Sequence, residues 1–172
     1  MLIELDLNFQ DKFMRREFTA TAYVIESDKV LLIFHRKLKK WLPPGGHLHP
    51  DELPSVGAKR EVREETGLEI SFINQDFLWV ERWNAKSFER PMMCLLEEIP
   101  ATETAPKHQH IDFIYLATPI HGTLKPQLVE VEAARWFTLT EVNALISDEE
   151  IFEETKSVIQ KILDPAALPS LV

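Results

Sequence analysis

Phe18 to Ile25 is dense in aromatic and β-branched residues and predicts a strand. The polar stretch Glu26-Ser27-Asp28-Lys29 predicts a turn, and Val30 to Phe34 a second strand, so the two are expected to form a hairpin. No Asn-Gly or Asp-Gly fixes the turn type. Residues 1–16 show weak periodicity and read as a short helix or an arm. Pro43-Pro44-Gly45-Gly46 breaks the pattern, and residues 53–66 then read as a helix. Ala58 and Val62, with Leu53 and Gly57, form its small or apolar side, and Gly67 stands at the expected stop. Strand-like runs follow at Leu68 to Ile73, Phe77 to Val80, Met92 to Leu96 and Ile111 to Ala117, the last a candidate central strand. Residues 99–110 read as a loop and Ala134 to Phe137 as a final strand. Thr138 or Thr140 is the expected cap of a short helix. Residues 148–163 read as an amphipathic helix with Ile151, Phe152, Val158, Ile159 and Ile162 or Leu163 inward, and 164–172 as a tail. Strands, one helix, more strands and closing helices imply an α/β fold: a mixed sheet with packed helices, not a regular βαβ array. No linker or repeat divides residues 1–172, so one domain is expected.

The helix over residues 53–66 carries the chemistry. Glu61 and Glu65 are four apart and share a face, and Glu64 borders it. Crowded carboxylates repel and raise one another's pKa, which a helix gains nothing from structurally. A hard divalent cation, Mg²⁺ or Mn²⁺, relieves that repulsion. Arg60 is placed to pair with Glu64 and to hold Glu52 by a bidentate bond. The plainer alternative, a solvated acidic face, explains the glutamates alone but not the glycines around them.

The full segment resembles the signature of the Nudix hydrolases: Gly, five residues, Glu, seven residues, Arg-Glu, an aliphatic residue, any residue, Glu-Glu, any residue, Gly, an aliphatic residue. Gly46, Glu52, Arg60, Glu61, Val62, Glu64, Glu65, Gly67 and Leu68 fill it. The flanking hairpin, Leu42 to Gly45, and Ala134 to Phe137 with Thr140-Glu141 extend the resemblance over residues 18 to about 145. It implies an α/β/α sandwich around a mixed sheet and hydrolysis of a phosphoanhydride by water attack on phosphorus, with Mg²⁺ or Mn²⁺ as cofactor. It implies Glu61, Glu64, Glu65 and the Gly45 carbonyl as metal ligands, Glu61, Glu64 or a loop acid as the catalytic base, and Glu52 and Arg60 as the residues that hold loop and helix in register. Glu130 and Glu132 are both candidates for a further acid. The leading expectation is a nucleoside diphosphate linked to another moiety. Alternatives are a nucleoside triphosphate, an RNA 5′ end, or a nucleotide-binding module without turnover.

Markers that the family uses to separate substrates are missing: Trp83 and then Asn84-Ala85-Lys86 occupy their positions. Trp79, Trp83 and Phe88 are candidates for stacking on a base. Arg36, in the basic stretch from His35 to Lys40, and His47 are candidates for phosphate contact. His47 and His49, like His108 and His110, alternate, but no cysteine accompanies them, so a zinc site is not expected. Trp41 is expected to pack under the signature loop, and the lone Cys94, inside an apolar run, to be buried.

The formal net charge of -9 argues against binding to nucleic acid through backbone contacts alone. A small-molecule nucleotide-type substrate is therefore the expected partner. The N-terminus lacks a basic start and a long apolar stretch, so a cytoplasmic location and no membrane partner are expected. The family resemblance adds a homodimer as an expectation.

Overall fold

A computed structural model describes residues 14–73, 78–103, 105–126 and 130–164. The expected N-terminal arm, up to residue 13, and the tail beyond Asp164 lie outside the described residues. Strand β1 (Arg16–Glu26) turns into β2 (Lys29–His35) through Ser27-Asp28, where Ser27 takes a positive φ of 57°. Two short strands, β3 (Lys40–Leu42) and β4 (Gly45–His47), lead to helix α1 (Pro54–Thr66). Pro54 starts α1 where its missing N–H costs nothing, and Gly67 ends it in the left-handed region at φ 76°. Strand β5 (Leu68–Phe72) follows, then a small hairpin of β6 (Glu81–Arg82) and β7 (Ala85–Lys86). The chain continues through β8 (Met93–Ile99), β9 (His108–Gly122), β10 (Val131–Thr138), α2 (Leu139–Ala144) and α3 (Glu153–Ile162).

The main sheet runs β10-β2-β1-β9-β5, with β3 on β2, β4 on β1 and β8 on β9. It is mixed: β1 and β9 are parallel and the other pairings antiparallel. Alternation along β1 separates two cores. Ala20, Ala22 and Val24 pack with Ala58 and Val62 of α1 on one face. Tyr23 and Ile25 pack on the other with Val142 of α2 and with Ile159 and Ile162 of α3. The α/β/α sandwich implied by the sequence is the architecture observed.

β1 changes partner along one edge, pairing with β4 at Thr19–Thr21 and with β2 at Ile25–Glu26. Between them the Ala22 N–H donates to the Pro44 carbonyl at 3.0 Å. This divergence opens the sheet beside Gly45 and Gly46.

Several expectations need correction. Leu78 to Val80 form no strand; the pairing lies at residues 81–86, and Leu78, Trp79 and Val80 are exposed. Phe77 lies outside the described residues. The expected loop over residues 99–110 is shorter, because Ile99 pairs with His108 and the hairpin of β8 and β9 runs further than apolar content suggested. The last helix begins at Glu153; Ile151 is fully buried, but as a bridge residue beside Trp41. Trp41 packs on Phe34 and Phe137, with centroids 5.2 and 4.8 Å away, rather than under the signature loop. Cys94 is exposed, because alternation along β8 sends Met93 and Leu95 to the core and Cys94 outward. Among the described residues no helix is long and apolar enough to cross a membrane.

Candidate active site

Arg60 organises the acidic helix. Its Nε and one terminal nitrogen both donate to Glu52, each at 2.9 Å. The other terminal nitrogen donates to Glu61 at 2.7 Å and Glu64 at 3.0 Å, and the fifth N–H meets the His47 carbonyl at 3.0 Å. All five donors of the guanidinium are used. Glu52 also accepts from the His49 N–H at 3.0 Å, which closes the loop ahead of α1. The bidentate Arg60 pair, against the cost of burial, holds the Glu52 carboxyl down at about 2. The bidentate pair and the i,i+4 pair foreseen from the sequence are both present.

Glu61 and Glu65 face the divergence between β4 and β2. Glu65 is 5% exposed, with the Gly45 N–H donating to it at 3.0 Å. Burial drives its carboxyl up to about 8, the Gly45 bond opposing, and the charges of Glu61, Glu130 and Glu64 push the same way. Burial also raises Glu61, against the pull of Arg60. A Cβ on Gly46 would stand 2.6 Å from Glu61 Oε1, so only glycine lets the backbone pass this carboxylate. Glu64 is about half exposed. The donor set is all hard oxygen, negatively charged and short of donors, which fits a Mg²⁺-class ion.

The two candidate loop acids separate. Glu130 lies close enough to raise both Glu61 and Glu65, whereas Glu132 pairs with Lys39 at 2.5 Å. The Arg36 backbone N–H donates to the Glu130 backbone carbonyl at 2.8 Å, which joins the end of β2 to the segment ahead of β10. The basic stretch is not an open groove: Lys39 is committed to Glu132, and Lys40 donates to the Asp148 and Glu149 carbonyls. Trp83 stands 95% exposed between β6 and β7.

A second cluster was not anticipated from the sequence. His47 Nε2 lies 2.7 Å from Glu17 Oε2, and His110 Nε2 and His108 Nε2 lie 3.7 and 3.9 Å from the same oxygen. Glu17, His47 and His110 bring ligand atoms within 4.8 Å of one another, a group able to coordinate a divalent metal. Burial, with the neighbouring His47 and His108, holds His110 below its ordinary pKa. The period-2 spacing of His108 and His110 signals one strand face, but only the long-range pairing of β1 with β9 reveals Glu17 as their neighbour.

The family model described as "NUDIX domain" matches residues 15–161. A protein of Lactococcus lactis subsp. cremoris (strain MG1363) named "Probable DHNTP pyrophosphohydrolase" is 36% identical over 102 residues, covering 58% of this chain and 52% of that protein. The m7GpppN-mRNA hydrolase of Homo sapiens is 28% identical over 154 residues, covering 83% of this chain and 44% of that protein. The chain thus spans about half the length of these curated relatives. A crystal structure of a NUDIX family hydrolase from Clostridium perfringens superposes with a TM-score of 0.68 at 29% identity, covering 88% of this chain and 98% of that one.

Proposed function

Because the chain belongs to the NUDIX domain family, we propose that it hydrolyses a phosphoanhydride bond of a nucleotide-type substrate by attack of water on phosphorus. The observation that carries this is Glu61 and buried Glu65 against the Gly45-Gly46 backbone, with Glu64 on the same helix and the charge of Glu130 felt by both carboxyls. Glu61, Glu64, Glu65 and the Gly45 carbonyl are the groups that would hold Mg²⁺ or Mn²⁺. Such an ion supplies Lewis acidity toward phosphate oxygens and water. Arg60 is a positioning residue, fixing Glu61 and Glu64 and locking Glu52 to the loop. Glu61, Glu64 and Glu130 are the carboxylates available to accept the proton of the attacking water. Arg36, whose backbone is bonded to that of Glu130, is a candidate phosphate contact. Trp83, away from the carboxylates in sequence and fully open to solvent, carries no argument as a base-stacking residue beyond its exposure.

For the substrate, a triphosphate is favoured over the nucleoside diphosphate derivative that the sequence first suggests. The two curated relatives carry a triphosphate in their names, as the TP of DHNTP and the ppp of m7GpppN. The net charge of -9 and the tied-down lysines favour a small triphosphate or a short RNA 5′ end over an extended RNA footprint.

The test is product release with Mg²⁺ or Mn²⁺ from nucleoside triphosphates and DHNTP, 5′-triphosphorylated and capped RNA, and nucleoside diphosphate derivatives, beside Glu64→Gln. Turnover of a triphosphate class, falling about 100-fold or more in Glu64→Gln, is expected. Turnover confined to diphosphate derivatives would overturn the substrate class. Absence of metal-dependent turnover throughout would overturn the enzyme.

A further inference from the structure

We propose that Glu17, His47 and His110, with His108 beside them, form a second metal site of zinc type, separate from the carboxylates of α1. Three strands build it. Glu17 on β1 and His110 on β9 are direct partners in the parallel register, so their side chains share a sheet face. His108 lies two residues earlier on β9, hence on that same face. His47 comes from β4, whose register pairs it with Thr19 on the other edge of β1. The four residues span more than ninety positions of sequence, yet the strands leave their side chains little freedom.

The distances suit an ion. Three imidazole Nε2 atoms lie 2.7, 3.7 and 3.9 Å from one carboxylate oxygen. These values bracket the roughly 3.4 Å edge of a tetrahedron with bonds of about 2.1 Å, the Zn–N length; the ligand atoms of Glu17, His47 and His110 all lie within 4.8 Å of one another, with His108 at the margin of that group. His110 Nε2 is buried and has no hydrogen-bond partner among the described residues. A buried orphan of this kind needs an explanation, and a metal bond supplies one.

The outer contacts have the pattern that metal-binding histidines need. His108 Nδ1 lies 2.9 Å from the Pro106 carbonyl, so that nitrogen carries the proton and leaves the Nε2 lone pair facing the cluster. Glu97 Oε2 lies 3.8 Å from His110 Nδ1 on the far side of that ring. A ligand set of imidazole nitrogens with one carboxylate oxygen favours zinc over Mg²⁺, which prefers an all-oxygen shell. An anion is disfavoured, because the Glu17 carboxylate sits where all three rings converge.

The site has a structural consequence for the neighbouring loop. His47 follows Gly46, and its carbonyl holds Arg60. An ion here would clamp β4 to β1 and β9 and so stiffen the backbone beside Glu61 and Glu65.

The full-length chain, stripped with a chelator, is titrated with Zn²⁺ by calorimetry, and its cobalt-substituted form is examined by visible absorption. One equivalent of zinc is expected, unaffected by excess Mg²⁺, with a tetrahedral cobalt spectrum. His47→Ala, at an exposed position, and His110→Gln should each weaken zinc at least tenfold and abolish that spectrum. Glu64→Gln should leave zinc affinity unchanged, which separates this site from the one on α1 whether or not the chain is an enzyme. Circular dichroism and metal-free melting of each variant report folding, and weakened zinc binding counts only in a variant that matches the parent there. Absence of stoichiometric zinc, zinc retained at parental affinity in both histidine variants, or zinc lost in Glu64→Gln would overturn the proposal.

Discussion

Arg60 meets five acceptors with five donors, and this saturation makes the signature arginine a framework residue as much as an electrostatic one. A lysine has neither the fork nor the number of fixed donors to replace it. Glu52 is its bidentate partner and is about 10% exposed, so solvent screens the pair little. Its carboxyl is held at about 2 in the folded chain, below the ordinary 4.5. A depressed carboxyl contributes stability that is complete above the unfolded value and is lost as pH falls through the folded one. Glu52→Gln is therefore expected to cost about 2–3 kcal/mol at neutral pH. The gap between variant and parent in thermal unfolding should close as pH drops from about 4.5 toward 2. A gap that stays constant over that range would show that Glu52 acts by packing alone. This pair was legible in the sequence because both partners lie within eight positions and helix geometry fixes their reach. The choice between Glu130 and Glu132 was not, since residues two apart in a regular strand face the same way, and the register shift between Val131 and Ala133 that separates them is not written in the local sequence.

Helix α1 was readable almost to the residue, because three independent signals agree on it: Pro54 at the start, Ala58 and Val62 on one face, and Gly67 at the stop. The stop is strained for any other residue. Gly67 sits at φ 76°, and a Cβ there would stand 3.0 Å from the Thr123 carbonyl oxygen. Gly67→Ala is expected to destabilise the fold by about 1–2 kcal/mol, read as a lower midpoint in urea with an unchanged slope. An unchanged midpoint would mean that the turn relaxes without cost. Elements that lacked such agreement were misread. Leu78, Trp79 and Val80 have strand composition but no strand pairs with them, and exposure follows. His108 to His110 lack strand composition but are held in β9 by pairing with Glu97 to Ile99 and with Arg16 and Glu17. Ile151 has the apolar character of a helix face but is buried by its bridge to Trp41. In each case tertiary pairing overrides local propensity, as it does readily for strands.

At the scale of the molecule, the fold assembles two charged clusters whose residues come from different sources. The carboxylates of α1 were visible as a motif because one helix carries them. The histidine cluster required the parallel pairing of β1 and β9, a contact between residues more than ninety positions apart that no local pattern encodes. The buried carboxylates would also tie folding to a bound Mg²⁺-class ion. Glu65 has a folded value raised to about 8 from 4.5, chiefly by burial. A raised carboxyl contributes stability that is complete below about 4.5 and is lost as pH climbs toward about 8. The metal-free chain should accordingly melt lower at pH 8 than at pH 5, by about 5 °C or more from this group. Mg²⁺ binds the ionised carboxylate, so it should raise the melting temperature more at pH 8 than at pH 5. Glu65→Gln should remove most of the metal-free slope and most of the Mg²⁺ shift together, since one carboxylate is responsible for both. Melting curves of parent and variant, with and without Mg²⁺ and with zinc excluded, decide this. An equal Mg²⁺ shift at the two pH values, or a shift that survives in Glu65→Gln, would place the Mg²⁺-class ion elsewhere on the molecule.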